Sequence, residues 1–204
     1  MTKDTLPAFA TRYLPHRAHP GWLGDEMADA LLAYAVHNQS RFKPSRVRAA
    51  SGPVVDPAQR KSLRLVDLGP FADLLRERAL TAAPELNRLF GGGVLTPQQV
   101  EIELVAHGDG AFFTRHKDTL MSTGLEALPR RVTMVYYFHR RPKAFSGGQL
   151  RYYSLAGEAY FDIEPDHDVM VSFPSWAPHS VERISCPSDD FADQRFAIDM
   201  WILG

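Results

Sequence analysis

The chain has 204 residues, 45% of them hydrophobic and 23% charged, a globular composition long enough to bury one sizeable core, so a single domain over 1–204 is expected. Lys+Arg 23 against Asp+Glu 24 leaves a formal net charge of -1, and no global field argues for nucleic acid or an anionic membrane as partner. The lone Cys186 excludes an internal disulfide framework and fits a reducing compartment, the cytoplasm. Met1 to Leu14 carries no apolar core of a secretion signal, and no run of about 18 apolar residues marks a transmembrane helix.

In chain order, Leu23, Met27, Leu31 and Tyr34 recur at helical spacing and predict one amphipathic helix. A basic stretch from Arg41 to Arg64, broken by Gly52, Pro53 and Pro57, reads as loop with a short strand at 62–66. A second helical region runs from about Pro70 to Phe90, with Phe71, Leu74, Leu75, Leu86, Leu89 and Phe90 apolar, Pro84 restarting it and Gly91–Gly93 ending it. From residue 100 the pattern changes to short β-branched and aromatic runs: 100–107, 111–116, 131–139, 149–154, 158–163, 168–173, 179–184 and 195–202. Eight such strands suit a double-sheet jelly roll, an α+β chain in which a mainly helical 1–99 buttresses a double-stranded β-helix in 100–204. No internal repeat or low-complexity tract interrupts it.

His116-Lys117-Asp118 closes the second of these runs. Residues two apart on a strand point to one side, so the imidazole and the carboxylate can share an ion. Two His and one carboxylate leave three positions open on an octahedral Fe(II), room for dioxygen and a bidentate co-substrate. The pair alone is unspecific, and His107-Gly108-Asp109 is a second match, whose Asp109 reads better as a turn residue between Gly108 and Gly110. His179 follows a proline-bearing turn, Pro174 to Pro178, and opens a strand able to lie beside His116. Taken alone, such a histidine is more often structural.

Along Arg195 to Trp201, Arg195, Ala197, Asp199 and Trp201 alternate with Phe196, Ile198 and Met200. A guanidinium turned into a barrel is costly unless it meets an anion, and its fork matches a carboxylate; an edge-strand arginine facing water is the plainer alternative. Tyr136 and Tyr137 are neighbours in an apolar run, so only one hydroxyl faces the barrel mouth, while core packing with a tethered phenol explains either.

The run from Val100 onward resembles the catalytic domain of the prolyl 4-hydroxylase branch of 2-oxoglutarate oxygenases, including the hypoxia-inducible-factor prolyl hydroxylases. Six ordered pieces carry the likeness: Arg115-His116-Lys117-Asp118, Val132 to Tyr137, Ser146 to Arg151, Phe161 to Pro165, Pro178-His179-Ser180-Val181 and Arg195 to Trp201. The resemblance implies His116, Asp118 and His179 as ligands of Fe(II), Arg195 as partner of the far carboxylate of 2-oxoglutarate, Tyr137 as a hydroxyl donor to it and Trp201 as a wall. It sets Asp118 against a halogenase, which lacks this carboxylate. Three positions depart from the pattern: Ala106 stands where the hypoxia-factor enzymes place another co-substrate tyrosine, Cys186 to Gln194 lengthens the approach to Arg195, and Ser180 replaces a common glutamate.

The implied reaction couples decarboxylation of 2-oxoglutarate to succinate with dioxygen-dependent hydroxylation of a carbon, with ascorbate a candidate reductant. The branch points to a prolyl residue in a protein or peptide; a free amino acid or other small metabolite is the alternative. Thr119 to Arg131 is a candidate lid, and Arg130, Arg131, Arg140, Arg141 and Lys143 are a candidate rim for an acidic or peptide partner, solvated surface charge being the plainer explanation. A non-catalytic cupin-like module with structural or zinc-holding histidines is the reading from another class, and Arg195 separates the two.

Overall fold

Side-chain alternation in the second half decides the architecture. The computed structural model describes residues 12–49, 52–90, 96–97, 99–119, 128–155 and 157–204; the expectations for residues 1–11, for Gly91–Gly93 and for most of the candidate lid lie outside them. The elements are β1 (Arg17–Pro20), α1 (Asp25–His37), β2 (Lys43–Pro44), β3 (Val47–Ala49), β4 (Gly52–Val54), β5 (Arg60–Lys61), β6 (Leu63–Leu65) and α2 (Ala72–Phe90). The second half adds β7 (Gln99–His107), β8 (Phe112–His116), β9 (Arg130–Phe138), β10 (Ser146–Gly147), β11 (Leu150–Tyr153), β12 (Tyr160–Ile163), β13 (Val169–Pro174), β14 (His179–Val181), β15 (Ile184–Ser185) and β16 (Arg195–Leu203).

A seven-stranded sheet, β1-β13-β9-β16-β7-β6-β2, faces a five-stranded one, β12-β11-β14-β8-β5. This is the expected jelly roll, with every one of the eight expected strands present. On β16, Phe196, Ile198, Met200 and Ile202 pack with Met134, Tyr136 and Phe138 of β9 into the core shared with the helices. The alternate residues Val135, Tyr137 and Ala197 join Leu150, Tyr152, Val171 and Phe173 between the sheets. Each such fully buried apolar side chain contributes roughly 1.5–3 kcal/mol, and their alternation fixes register, since a one-residue slip would turn both faces inside out.

The helices differ in detail from expectation. On α1 the buried stripe is Ala28, Leu31 and Ala35, with Leu23, Met27 and Tyr34 flanking it. α2 runs unbroken through Pro84, burying Leu75, Ala79, Ala83, Leu86 and Phe90 and leaving Leu89 exposed. Pro84 and Leu80 both sit on the solvent side, where the carbonyl that loses its N–H partner can bond water. The first half also supplies strands to both sheets: β1 pairs with β13, β6 with β7 and β5 with β8.

Asp168, at φ 55, joins the layers. Its carboxylate accepts from the backbone N–H groups of Leu23 and Gly24 at 3.0 and 2.9 Å and from the Tyr136 hydroxyl at 2.9 Å. Tyr136 is therefore the tethered core phenol of the tyrosine pair. Burial and the facing Asp168 push its pKa up.

Candidate active site

His116 ends β8 and His179 opens β14, directly opposite each other on the ladder, with ring centroids 4.2 Å apart. Each ring is held through Nδ1: His116 donates to the Thr114 carbonyl at 2.8 Å and His179 to the Ala177 carbonyl at 3.0 Å. A carbonyl only accepts, so both Nε2 atoms are left as lone-pair donors. They face Asp118, 3.5 Å from its Oδ1 for His116 and 3.6 Å from its Oδ2 for His179. Phe113 stacks on the His116 ring at 3.6 Å and Phe173 meets His179 edge-on at 4.8 Å.

Asp118 is fixed by the turn beside it. Its N–H donates to the Ser175 carbonyl at 2.9 Å, and Oδ2 accepts from the Thr133 hydroxyl at 2.9 Å. Burial pushes the carboxyl up, but His179, His116 and Arg130 outweigh it and hold the group well below the usual carboxylate range. His179 is pushed down to about 4 by burial and by His116, against the pull of Asp118. One carboxylate and a neutral imidazole are the protonation states a divalent metal requires. His116, Asp118 and His179 are the one group of such ligands found among the described residues, their ligand atoms all within 4.8 Å.

A cavity of about 730 Å³ between the sheets is lined by this triad and also by Arg195, Tyr137 and Trp201. Arg195 is 1% exposed. Its Nη1 donates to Nδ1 of His107 at 3.0 Å, and its guanidinium lies 4.8 Å from the Tyr137 ring centre. Burial, then Arg195 and Arg60, push His107 well down and keep it neutral, so Nδ1 accepts. Gly148, at φ 73, allows this approach: a Cβ there would come within 2.8 Å of Arg195 Cδ. Two buried atoms at this end have no hydrogen-bond partner, Arg195 Nε and the Tyr137 hydroxyl. Burial pushes the Tyr137 phenol up to about 12 despite Arg195, so it stays a donor.

Sequence reasoning placed these groups but missed their supports. Ala106 faces the helical core, packed against it and paired with Phe196; the side chain that reaches the Arg195 end of the cavity from this strand is its neighbour His107, paired with Arg195. The long segment before Arg195 does not displace it, because Cys186 N–H is tied to Asp109 Oδ1 at 2.9 Å. That contact also makes Asp109 structural, as expected of a turn residue. The candidate rim dissolves into paired surface charge: Arg140 with Asp190 and Asp193, Arg141 with Asp25 and Asp29, Lys143 with Glu164, and Arg131 with the Gly204 carbonyl. Arg130 alone among them lines the cavity, bonded to Glu101 and stacked 3.7 Å over Trp201.

Sheet order separates a second arm of the cavity. Past β16 lie β7 and β6, and there Arg60, Arg64, Glu103 and Asp199 line the cavity with Arg46, Val47, Gly52 and Pro53 around the β3–β4 hairpin. Glu103 accepts from both Arg60 and Arg64 at 3.2 Å. No sequence period marks these charges as one group; pairing of β6 with β7 and of β7 with β16 brings Arg64, Glu103 and Asp199 together, and Arg60 meets them from β5 of the facing sheet.

Residues 102–203, half of the chain, match the family profile of the 2OG-Fe(II) oxygenase superfamily. An uncharacterized PKHD-type hydroxylase of Synechocystis sp. is 34% identical over 137 residues, 63% of this chain and 44% of that relative, so the match spans less than half the relative's length. A Pseudomonas putida prolyl-4-hydroxylase structure is 21% identical with a TM-score of 0.64, over 92% of this chain and 91% of that one. A Trichoplax adhaerens prolyl hydroxylase, solved with a hypoxia-inducible-factor oxygen degradation domain peptide fragment, is 19% identical with a TM-score of 0.70, over 93% and 84%. At those identities the two structures share the fold.

Proposed function

This chain belongs to the 2OG-Fe(II) oxygenase superfamily, and we propose that it is a hydroxylase that uses Fe(II), 2-oxoglutarate and dioxygen to hydroxylate a carbon of a prolyl substrate. His116, Asp118 and His179 hold the iron, and Arg195 with Tyr137 holds the far carboxylate of 2-oxoglutarate. The observation that carries this reading is a metal-ready triad in the same cavity as a buried guanidinium and a phenol whose Nε and hydroxyl lack partners. A dicarboxylate supplies what both lack.

The bound metal and co-substrate supply the oxidising chemistry that replaces a C–H bond by C–OH. The chain's part is positional. Thr133 and the Thr114 and Ala177 carbonyls orient the three ligands. His107 occupies Nη1 of Arg195, which leaves Nε and the other edge of the fork for a carboxylate. Trp201, braced by Arg130, walls the reacting space.

A prolyl residue in a protein or peptide is supported by the shared fold with two prolyl hydroxylases, the Trichoplax one solved with a peptide fragment. A free amino acid or small metabolite remains the second reading, favoured by the charged arm around Asp199. The test is thermal denaturation of protein loaded with Mn(II). Saturating 2-oxoglutarate raises the midpoint, since ligand at about 100 Kd contributes roughly 2.7 kcal/mol. The shift disappears in Arg195→Ala; a full shift in that variant refutes the assignment, and no shift in the wild type refutes the co-substrate.

A further inference from the structure

Asp199 is a carboxylate in the cavity that the proposed chemistry does not use. It lies on β16 between Arg195 and Trp201, on the face turned between the sheets, and lines the cavity beside Glu103, its ladder partner on β7. Its nearest cation is Arg60, with Nη2 3.8 Å from Oδ2. That is beyond hydrogen-bond distance, and Arg60 is already committed. Its Nη2 bonds Glu103 at 3.2 Å, its Nε donates to the Ser62 hydroxyl at 3.0 Å and its plane rests 4.8 Å over Phe113. Arg64 is likewise bound to Glu103. Two arginines converge on one glutamate, and the second carboxylate of the group receives no hydrogen bond from either.

The same wall holds another unmet polar atom. Trp201 Nε1, two residues further along the same face of β16, is buried without an acceptor. Burial, partly offset by Arg60, together with the Glu103 and Asp118 carboxylates pushes the Asp199 carboxyl up to about 7, the behaviour of an acid enclosed without its donor.

We propose that Asp199 is a specificity-determining residue that receives a protonated amine of the substrate in the arm between β16, β7 and the β3–β4 hairpin. This rests on the oxygenase reading above and narrows it. A prolyl residue inside a peptide has a tertiary amide nitrogen with no hydrogen to give, whereas free proline or proline at a chain's N-terminus carries a secondary ammonium. The inferred substrate is therefore a prolyl group with a free amine. The indole N–H two residues along would suit the adjoining carbonyl oxygen.

The probes are L-prolinamide and N-acetyl-L-prolinamide, titrated by calorimetry into protein loaded with Mn(II) and 2-oxoglutarate. The wild type binds the amine at least tenfold more tightly than its acetylated form. Asp199→Asn and Asp199→Ser each lose that preference, while Asp199→Glu recovers part of it. Each variant is first checked for the 2-oxoglutarate-induced thermal shift, so a variant that fails to fold is not scored and the other neutral one decides. Equal binding of the two probes, tighter binding of the acetylated one, binding of neither, or a preference unchanged in the neutral variants overturns the proposal. A missing 2-oxoglutarate shift in the wild type would instead overturn the oxygenase reading.

Discussion

The Arg195 end of the cavity and the arm beyond β16 are built from the same kinds of residue, yet they are solved differently. At the Arg195 end His107 takes one guanidinium N–H, and Arg195 Nε and the Tyr137 hydroxyl are left without acceptors. In the arm, Arg60, Arg64 and Glu103 satisfy one another, and Asp199 is an acceptor that receives no hydrogen bond from them. One end lacks an anion and the other lacks a cation. On the proposed reading, a pocket with these opposite deficits would separate a dicarboxylate from an amine-bearing substrate without any moving part.

The largest expected effect breaks the arm. Arg60→Ala leaves the buried Glu103 with Arg64 alone and takes the nearest cation from the half-buried Asp199, and chemical denaturation should show a loss of about 3 to 5 kcal/mol. An unchanged midpoint would mean that these charges are hydrated and that the contrast between the two ends is only apparent. A smaller effect sharpens the contrast through the tyrosine pair. Tyr136→Phe removes the bond to Asp168 and should lower stability by about 1 to 3 kcal/mol while leaving the KM for 2-oxoglutarate alone. Tyr137→Phe removes a hydroxyl with no partner, so stability without ligand holds and the KM rises roughly tenfold or more. Reversal of this pattern would exchange the two roles.

The smallest effect concerns Asp199 and pH. Burial and the neighbouring carboxylates push its carboxyl up to about 7 in the fold from the usual 3.8, so the folded state binds the proton more readily and loses stability relative to the unfolded chain as pH rises from about 4 to 7. Asp199→Asn should therefore raise the melting temperature at pH 8 and leave it nearly unchanged near pH 4. His179 runs the other way: its pKa is depressed to about 4 from 6.5, so the metal-free protein loses stability as pH falls from about 6.5 toward 4. Measuring the difference between variant and wild type removes that shared slope.

The fold was legible because β7, β9, β11, β13 and β16 bury one or both faces, and burial writes an alternating or continuous apolar run. The short strands β1 to β5 were not legible, since two to four residues hold no period and β1 is exposed throughout. The triad was legible only through the order of its motifs. His116 and His179 meet across a ladder and Asp118 is fixed by a turn, neither of which a single His-x-Asp pair announces. His107 shows the limit most clearly: the resemblance marks Ala106 as a position where a contact of the family is missing or replaced, and it faces the helical core, while its neighbour His107 meets Arg195, one residue being the difference between the two faces of a sheet. The arm was illegible because its four charges come from β5, β6, β7 and β16 and share no spacing.

The central claim is that the His116, Asp118 and His179 site, loaded with Fe(II), turns over 2-oxoglutarate, and succinate formation tests it most directly. With Fe(II), 2-oxoglutarate, dioxygen and a prolyl substrate supplied, the wild type should form succinate, and either chelation of the metal or His116→Ala should abolish it. Undiminished succinate formation by His116→Ala would contradict the account.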